Sequence, residues 1–211
     1  LGIMTHLPNA DSDHEGTVSQ VESFLSQVAH FELPLSIANS AGVLAHPESH
    51  VDWVRPGLML YGASPVAPAG LKPAMQFTAP VIAVKRVRSG ERVGYGGVWV
   101  APEDCRIAVL AVGYADGYPR EVTADAAVLL NGSRCKLAGR VSMDMMSVVM
   151  AAGAEGSIGD QALLWGSQLP VEQVAQTAGT IAYTLMCGIG GRVSREYVPG
   201  VPSGAQHDDS R

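Results

Sequence analysis

A small set of side chains in this sequence has types and spacings that could do chemistry. Tyr95 stands between two glycines, in Gly94-Tyr95-Gly96. That setting suits a phenol carried on a tight turn, whether to move a proton or simply to pack there with its hydroxyl partnered. Ser40, in Asn39-Ser40-Ala41-Gly42, follows an apolar stretch. It could offer its hydroxyl to an anion, or the Asn-Ser pair could merely cap a helix. Gly57, after Val54-Arg55-Pro56, either makes a turn or lets the backbone approach an anion closely. Arg55 closes another apolar stretch, where an ion-paired surface arginine is the ordinary reading. His46 and His50 are four apart, but Pro47 lies between them and no third ligand is evident, so no metal site is expected. Gly188-Ile189-Gly190-Gly191 lacks the final glycine and the preceding strand of a dinucleotide loop.

The elements that must position these residues fall into two kinds. Residues 2–7 form an apolar strand, and Val18, Val21, Phe24, Leu25 and Val28 recur at helical spacing within 16–31. Residues 35–38 read as a second strand, 39–42 as the turn after it, a short helical piece runs to His50, and 51–55 reads as a third strand. Strands alternating with helices imply a parallel sheet or a β/α barrel. Residues 62–73 are rich in Pro and Ala between glycines and read as a linker. Beyond it, strands are expected at 81–87, 107–112, 126–130, 135–141, 145–150 and 161–164, with Asn131-Gly132 as a hairpin turn. Helices are expected at 171–177 and 181–187, and the polar end, 200–211, is expected to be disordered.

Composition narrows the classes. The 211 residues are 47% hydrophobic and carry a net charge of −6, enough for a real core and unsuited to a nucleic-acid partner. No apolar run approaches the ~18 residues of a membrane-spanning helix. Three cysteines, widely spaced and without a CxxC pair, suggest neither disulfides nor zinc, and point to the reducing cytoplasm. Leu1 stands where a methionine would begin a complete chain, so the sequence is expected to come from within something longer.

Several segments together resemble the alanine racemases. They are Met4-Thr5-His6, Ala38-Asn39-Ser40-Ala41-Gly42, Val54-Arg55-Pro56-Gly57-Leu58 with Leu60-Tyr61-Gly62, Val93-Gly94-Tyr95-Gly96, Val112-Gly113-Tyr114-Ala115-Asp116-Gly117 and Gly139-Arg140-Val141-Ser142-Met143-Asp144. They stand in family order over nearly the whole chain. The resemblance implies an α/β barrel remnant, the last three β/α units, in residues 1–66. A mostly antiparallel β domain would follow in 67–203, and a tail in 204–211.

The resemblance also implies roles. The cofactor would be pyridoxal 5'-phosphate, its phosphate held by Asn39, Ser40, Gly57 and Leu58, where barrels of this kind commonly bind phosphate. His6 would stack on the cofactor ring. Arg55 would face the ring nitrogen; a guanidinium only donates, so that nitrogen stays unprotonated and the ring is a weaker electron sink. Tyr95 would be one of two bases on opposite faces of the substrate α-carbon, its phenol helped by a cation such as Arg55. Tyr114, Met143 and Asp144 would line the substrate entrance. These and Tyr95 would serve the partner subunit's site, making a head-to-tail homodimer. The second base would be the cofactor lysine. Of the three lysines, Lys72, Lys85 and Lys136, none carries the family's lysine motif, so this chain alone is expected to be inactive. The function implied is interconversion of L- and D-alanine, supplying D-alanine for peptidoglycan.

Two departures from the family pattern stand out. Ser36 replaces a histidine that in some members links the arginine to the tyrosine, so that relay is expected to be shorter or water-mediated. Some members have, near the position of Gly191, a tyrosine that reaches the phosphate, and Gly190-Gly191 cannot supply that hydroxyl. Three alternatives remain. A decarboxylase on the same barrel would have an acidic residue at Arg55 and a cysteine before an acidic residue. Here Cys105, Cys135 and Cys187 precede Arg106, Lys136 and Gly188. A racemase of broader specificity and a non-catalytic, dimerising β domain are the others.

Overall fold

The computed structural model describes residues 1–66, 70–151 and 153–198. The expected tail, 204–211, and part of the expected linker, 67–69, lie outside the described residues. No helix among those described is long and apolar enough to cross a membrane.

The first part contains three parallel tracks. Strand β1 (Ile3–Met4) pairs in parallel with β2 (Leu35–Ser36), and Ser36 makes one further parallel bridge to Trp53. The strand expected at 51–55 is therefore a single bridge. Trp53 N–H donates to Leu35 O and Arg55 N–H to Ala38 O, and Pro56 has no N–H with which to continue the ladder. Between the tracks runs α1 (His14–Val28), which starts two residues before the expected Gly16 because the Asp13 carboxylate caps it, accepting from Gly16 N–H at 2.9 Å. The expected turn at 39–42 is instead the head of α2 (Ser40–Ala45), capped by Asn39. Leu7, Val21, Ile37 and Ala41 form a small core between helices and tracks.

The second part is an antiparallel sheet of six strands in the order β8-β7-β10-β3-β6-β9. These are β3 (Phe77–Val87), β6 (Cys105–Leu110), β7 (Ala127–Leu130), β8 (Ser133–Lys136), β9 (Met146–Val149) and β10 (Gln161–Trp165). A Leu137–Val148 bridge and Ala138 N–H donating to Ser147 O at 2.7 Å bring the two edges together, so the sheet nearly closes on itself. Strand β3 begins four residues earlier than expected. Its first stretch pairs with β10 and its second with β6, and Pro80 sits at the changeover, where its missing N–H costs little. Two short strands, β4 (Arg92–Val93) and β5 (Trp99–Val100), flank the turn that carries Tyr95. Helices α3 (Val171–Thr177) and α4 (Ala182–Gly188) complete the core around Trp165, Leu110, Leu130 and Val148.

The expected linker is in part packed structure. Leu58 and Ala63, from the first part, are buried in the core of the second. Ser64 N–H donates to Glu172 on α3 at 2.7 Å, and Ala74 N–H to Tyr61 O at 3.0 Å.

His46, expected to be bland, is a buried polar hub of the first part. Its Nδ1 lies 2.9 Å from Glu48 Oε1 and its Nε2 3.1 Å from Ala10 O, and its ring stacks on His14. His46→Leu should leave the Ala10 carbonyl unpartnered in the interior and destabilise the chain by about 1–3 kcal/mol in urea unfolding. Glu48's carboxyl is held below its ordinary range, first by its own backbone N–H and then by His46. For a carboxyl depressed in the folded state, the stabilisation is full above about pH 4.3 and is lost as pH falls through the lower folded value. Glu48→Gln should therefore flatten the acid limb of the stability curve, with wild type and variant converging at the lowest pH.

Candidate active site

The residues singled out in the sequence gather in two places. The first is the end of the parallel tracks. Arg55 lies there with its guanidinium spanning all three: Nη1–H donates to Ser36 Oγ at 2.6 Å, and Nη2–H groups donate to Thr5 O at 2.8 Å and Ile37 O at 3.2 Å. A guanidinium has five N–H groups. The Nε–H and one Nη1–H have no protein acceptor among the described residues. Ser36 Oγ in turn donates to Trp53 O at 3.0 Å. The relay expected from Arg55 through Ser36 toward a tyrosine thus ends on the backbone of the third track.

Beside Arg55 lies a cradle of small groups. Ser40 is almost fully buried, and its Oγ accepts from Met59 N–H at 3.3 Å, tying the head of α2 to the 3₁₀ helix Gly57–Tyr61. A side chain at Gly57 would meet nothing within 4 Å, so the backbone there faces open space. The N–H groups of Gly57 and Leu58 open that helix, where no intrahelical carbonyl can satisfy them. Asn39 is committed elsewhere: Oδ1 accepts from Gly42 N–H at 2.9 Å and Nδ2–H donates to Leu7 O at 2.8 Å. Its side chain serves the helix cap, the plainer of the two readings. His6 is exposed at the end of β1, its carbonyl accepting from Gln20.

The second place is on the β domain. Tyr95 begins a one-turn 3₁₀ helix in which Gly94, Gly96 and Gly97 all have positive φ, between 53° and 75°. A chain with side chains at those positions would be strained there. Tyr95 is 68% exposed, at the rim of a cavity of about 670 Å³ lined also by Ile82, Lys85, Arg140 and Met145. Tyr114 and Met143 lie on adjoining loops: Tyr114 N–H donates to Ser142 O and Ala115 N–H to Met143 O, each at 3.0 Å. Arg120 sits over the Tyr114 ring at 5.8 Å, and Asp144 pairs with Arg192 at 2.7 Å. Sequence reasoning singled out neither Arg120 nor Arg192, and read Arg140 only as part of a motif.

Within one chain these two places are separate. Among the described residues, no hydrogen bond joins them. The three assigned donors of Arg55 go to Ser36, Thr5 and Ile37, and the cations that share the Tyr95 cavity are Lys85 and Arg140. Among the described residues, no lysine makes a hydrogen bond or ion pair to the cradle. Lys85 is exposed on β3, Lys136 pairs with Asp125 at 3.2 Å, and Lys72 is exposed near the seam. His50 Nε2 lies 3.1 Å from Val43 O, and no group of three or more metal-ligating side chains is found among the described residues.

Comparison with known proteins matches both parts of the chain to one family. The family model "Alanine racemase, N-terminal domain" matches residues 1–65, and "Alanine racemase, C-terminal domain" matches residues 74–197. The alanine racemase of Vibrio atlanticus is 47% identical over 204 residues, covering 94% of this chain and 57% of that protein. That of Vibrio cholerae is 45% identical, covering 93% and 56%. Among solved structures, the biosynthetic alanine racemase from Pseudomonas aeruginosa superposes with a TM-score of 0.89 at 44% identity, over 94% of this chain and 57% of that one. The alanine racemase from Bartonella henselae with covalently bound pyridoxal phosphate does so with a TM-score of 0.86 at 30% identity, over 93% and 56%. This chain thus spans a little over half the length of the relatives it matches, the end of a β/α barrel and the β domain that follows, and it belongs to the alanine racemase family.

Proposed function

We propose that this chain is the carboxy-terminal part of a pyridoxal-phosphate-dependent racemase that interconverts L- and D-alanine, and that by itself it does not turn over. The observation that carries this reading is the braced guanidinium of Arg55 beside the Ser40–Gly57 cradle. Two of its N–H groups have no protein acceptor, while the other three are fixed by neutral oxygens. That arrangement fits an uncharged ring nitrogen better than a surface ion pair. The cradle fits a phosphate: a buried hydroxyl, an open glycine and two N–H groups at a helix start. Asn39 supports it indirectly by holding α2 in place.

When bound, pyridoxal phosphate withdraws electrons from the α-carbon of an amino acid and so acidifies its C–H bond. The chain's own residues would do the rest. Arg55 can only donate, so it keeps the ring nitrogen unprotonated and limits how far charge spreads into the ring, which disfavours side reactions. His6, exposed at the end of β1, would lie against the ring. Tyr95 Oη would take the proton from one face of the α-carbon or return it there. Inversion needs a second carrier on the opposite face, and none of Lys72, Lys85 and Lys136 stands in the family's lysine motif.

Tyr95, Tyr114, Met143 and Asp144 would complete the barrel site of a second copy, in a head-to-tail homodimer. The exposure of Ile82, Tyr95, Val98, Met143 and Met145 on one region of the β domain supports this. The role would be supply of D-alanine for peptidoglycan in the cytoplasm.

Three outcomes test the reading. Mixed with pyridoxal phosphate and borohydride, the chain should carry no stoichiometric reduced adduct by mass; an adduct on Lys72, Lys85 or Lys136 would overturn its inactivity. In sedimentation the chain should self-associate with rising concentration, and a strict monomer would count against the shared site. Carried to the length of its relatives, the protein should racemise alanine, and Tyr95→Phe should slow inversion by roughly 10²–10⁴-fold. One enantiomer should still exchange its α-proton with solvent in that variant. Unchanged inversion would remove Tyr95 from the mechanism.

A further inference from the structure

Three segments converge beside Tyr114. The loop 113–117 is folded by Gly113 N–H donating to Asp116 Oδ2 at 2.9 Å and Asp116 N–H donating to Gly113 O at 3.1 Å. It is laced to the loop 142–145 by the two bonds from Tyr114 and Ala115. The fit is tight, since a side chain at Gly113 would collide with the carbonyls of Ser142 and Met143. The third segment follows α4. Gly117, at φ +103°, packs against the backbone of Gly188 and Ile189. From this segment Arg192 reaches across both loops, with Nε 3.3 Å from Asp116 Oδ1 and Nη2 2.7 Å from Asp144 Oδ1.

We propose that Arg192 is a positioning residue for the substrate entrance, clamping the Tyr114 loop to the Met143–Asp144 loop and offsetting part of the charge of the two carboxylates there. The inference rests on the reading of Tyr114, Met143 and Asp144 as that entrance. An arginine suits both tasks because its planar fork holds two acceptors at fixed separation. Asp116 is only 13% exposed, and its other oxygen already caps Gly113, so its arm of the clamp transmits directly into the Tyr114 turn. Without Arg192, two uncompensated carboxylates would stand where the carboxylate of an amino acid must pass.

Magnitudes separate this from a general stabilising role. Exposed ion pairs contribute little to global stability. Local loop opening involves much smaller free energies than global unfolding, so the same clamp matters there. Hydrogen exchange on this chain should show the Tyr114 and Ala115 amides exchanging about 2- to 5-fold faster in Arg192→Ala, with β3 and β6 unchanged. Arg192→Lys, which keeps the charge but not the fork, should fall between. Unchanged loop amides, or acceleration spread equally over the sheet, would overturn the clamp. In the protein carried to its relatives' length, Arg192→Ala should raise KM for alanine about fivefold while kcat stays within about twofold, with partial rescue by Arg192→Lys. A fall in kcat at constant KM would also overturn it. A wild-type protein without racemase activity would instead refute the proposed function, and the exchange experiment would still decide the clamp.

Discussion

Burial of Leu58 in the core of the β domain is the constraint on which the arrangement depends. Leu58 belongs to the 3₁₀ helix Gly57–Tyr61, whose opening N–H groups and tie to Ser40 form the cradle. Its side chain points the other way, into a cluster with Phe77, Trp165 and Leu185 of the second part. The cradle is therefore anchored as much by the β domain as by the barrel. Ala63, fully buried in the same core, and the bond from Ser64 to Glu172 fix the chain as it leaves. Gly62 is required between them: its φ is +75°, and a side chain there would strike the backbone of Lys72 and Pro73. Residues 62–64, at the start of a stretch rich in proline and alanine, thus act as a fixed joint.

That joint explains why some of the fold was legible in the sequence and some was not. Asn131-Gly132 marked its hairpin because local geometry alone decides it; both residues adopt positive φ, 47° and 78°. Helix α3 was legible to the residue because its apolar spacing faces one core. Pro80 hid the start of β3, since a proline argues against a central strand. Only the switch of partners from β10 to β6 makes it tolerable, and that switch is a tertiary fact. The strand read at 51–55 was overcalled for a related reason: apolar residues satisfied the pattern, but the backbone bonds available there support a single bridge. Composition also cannot reveal that Ala63, inside the expected linker, has a core to enter.

The site divides along the same line. Tyr95, Ser40, Arg55 and Gly57 stand in short motifs with local signatures, so they could be named from their neighbours in sequence. Arg192 could not. Its meaning comes from lying within reach of Asp116 and Asp144, which are 76 and 48 residues away in the chain. Asn39 shows the converse, because a residue inside a motif can be there for the fold. Its amide caps α2 and grips Leu7, and the hydroxyl that faces the cradle is that of Ser40.

Each half of the site is braced without the other. The guanidinium of Arg55 is held by oxygens of the first two tracks, and the Tyr95 turn is held by glycines that pack on residues 139 and 140. Neither bracing uses a group from the opposite half. Two pre-set surfaces then need only be brought together, and little conformational entropy remains to be lost when they meet. The phenol also has cations on its own chain, since Lys85 and Arg140 line the same cavity. If a second copy brings its barrel end to this turn, as proposed, those two cations would already stand at the shared site, and Arg55 of the other copy would add to them rather than supply the only positive charge.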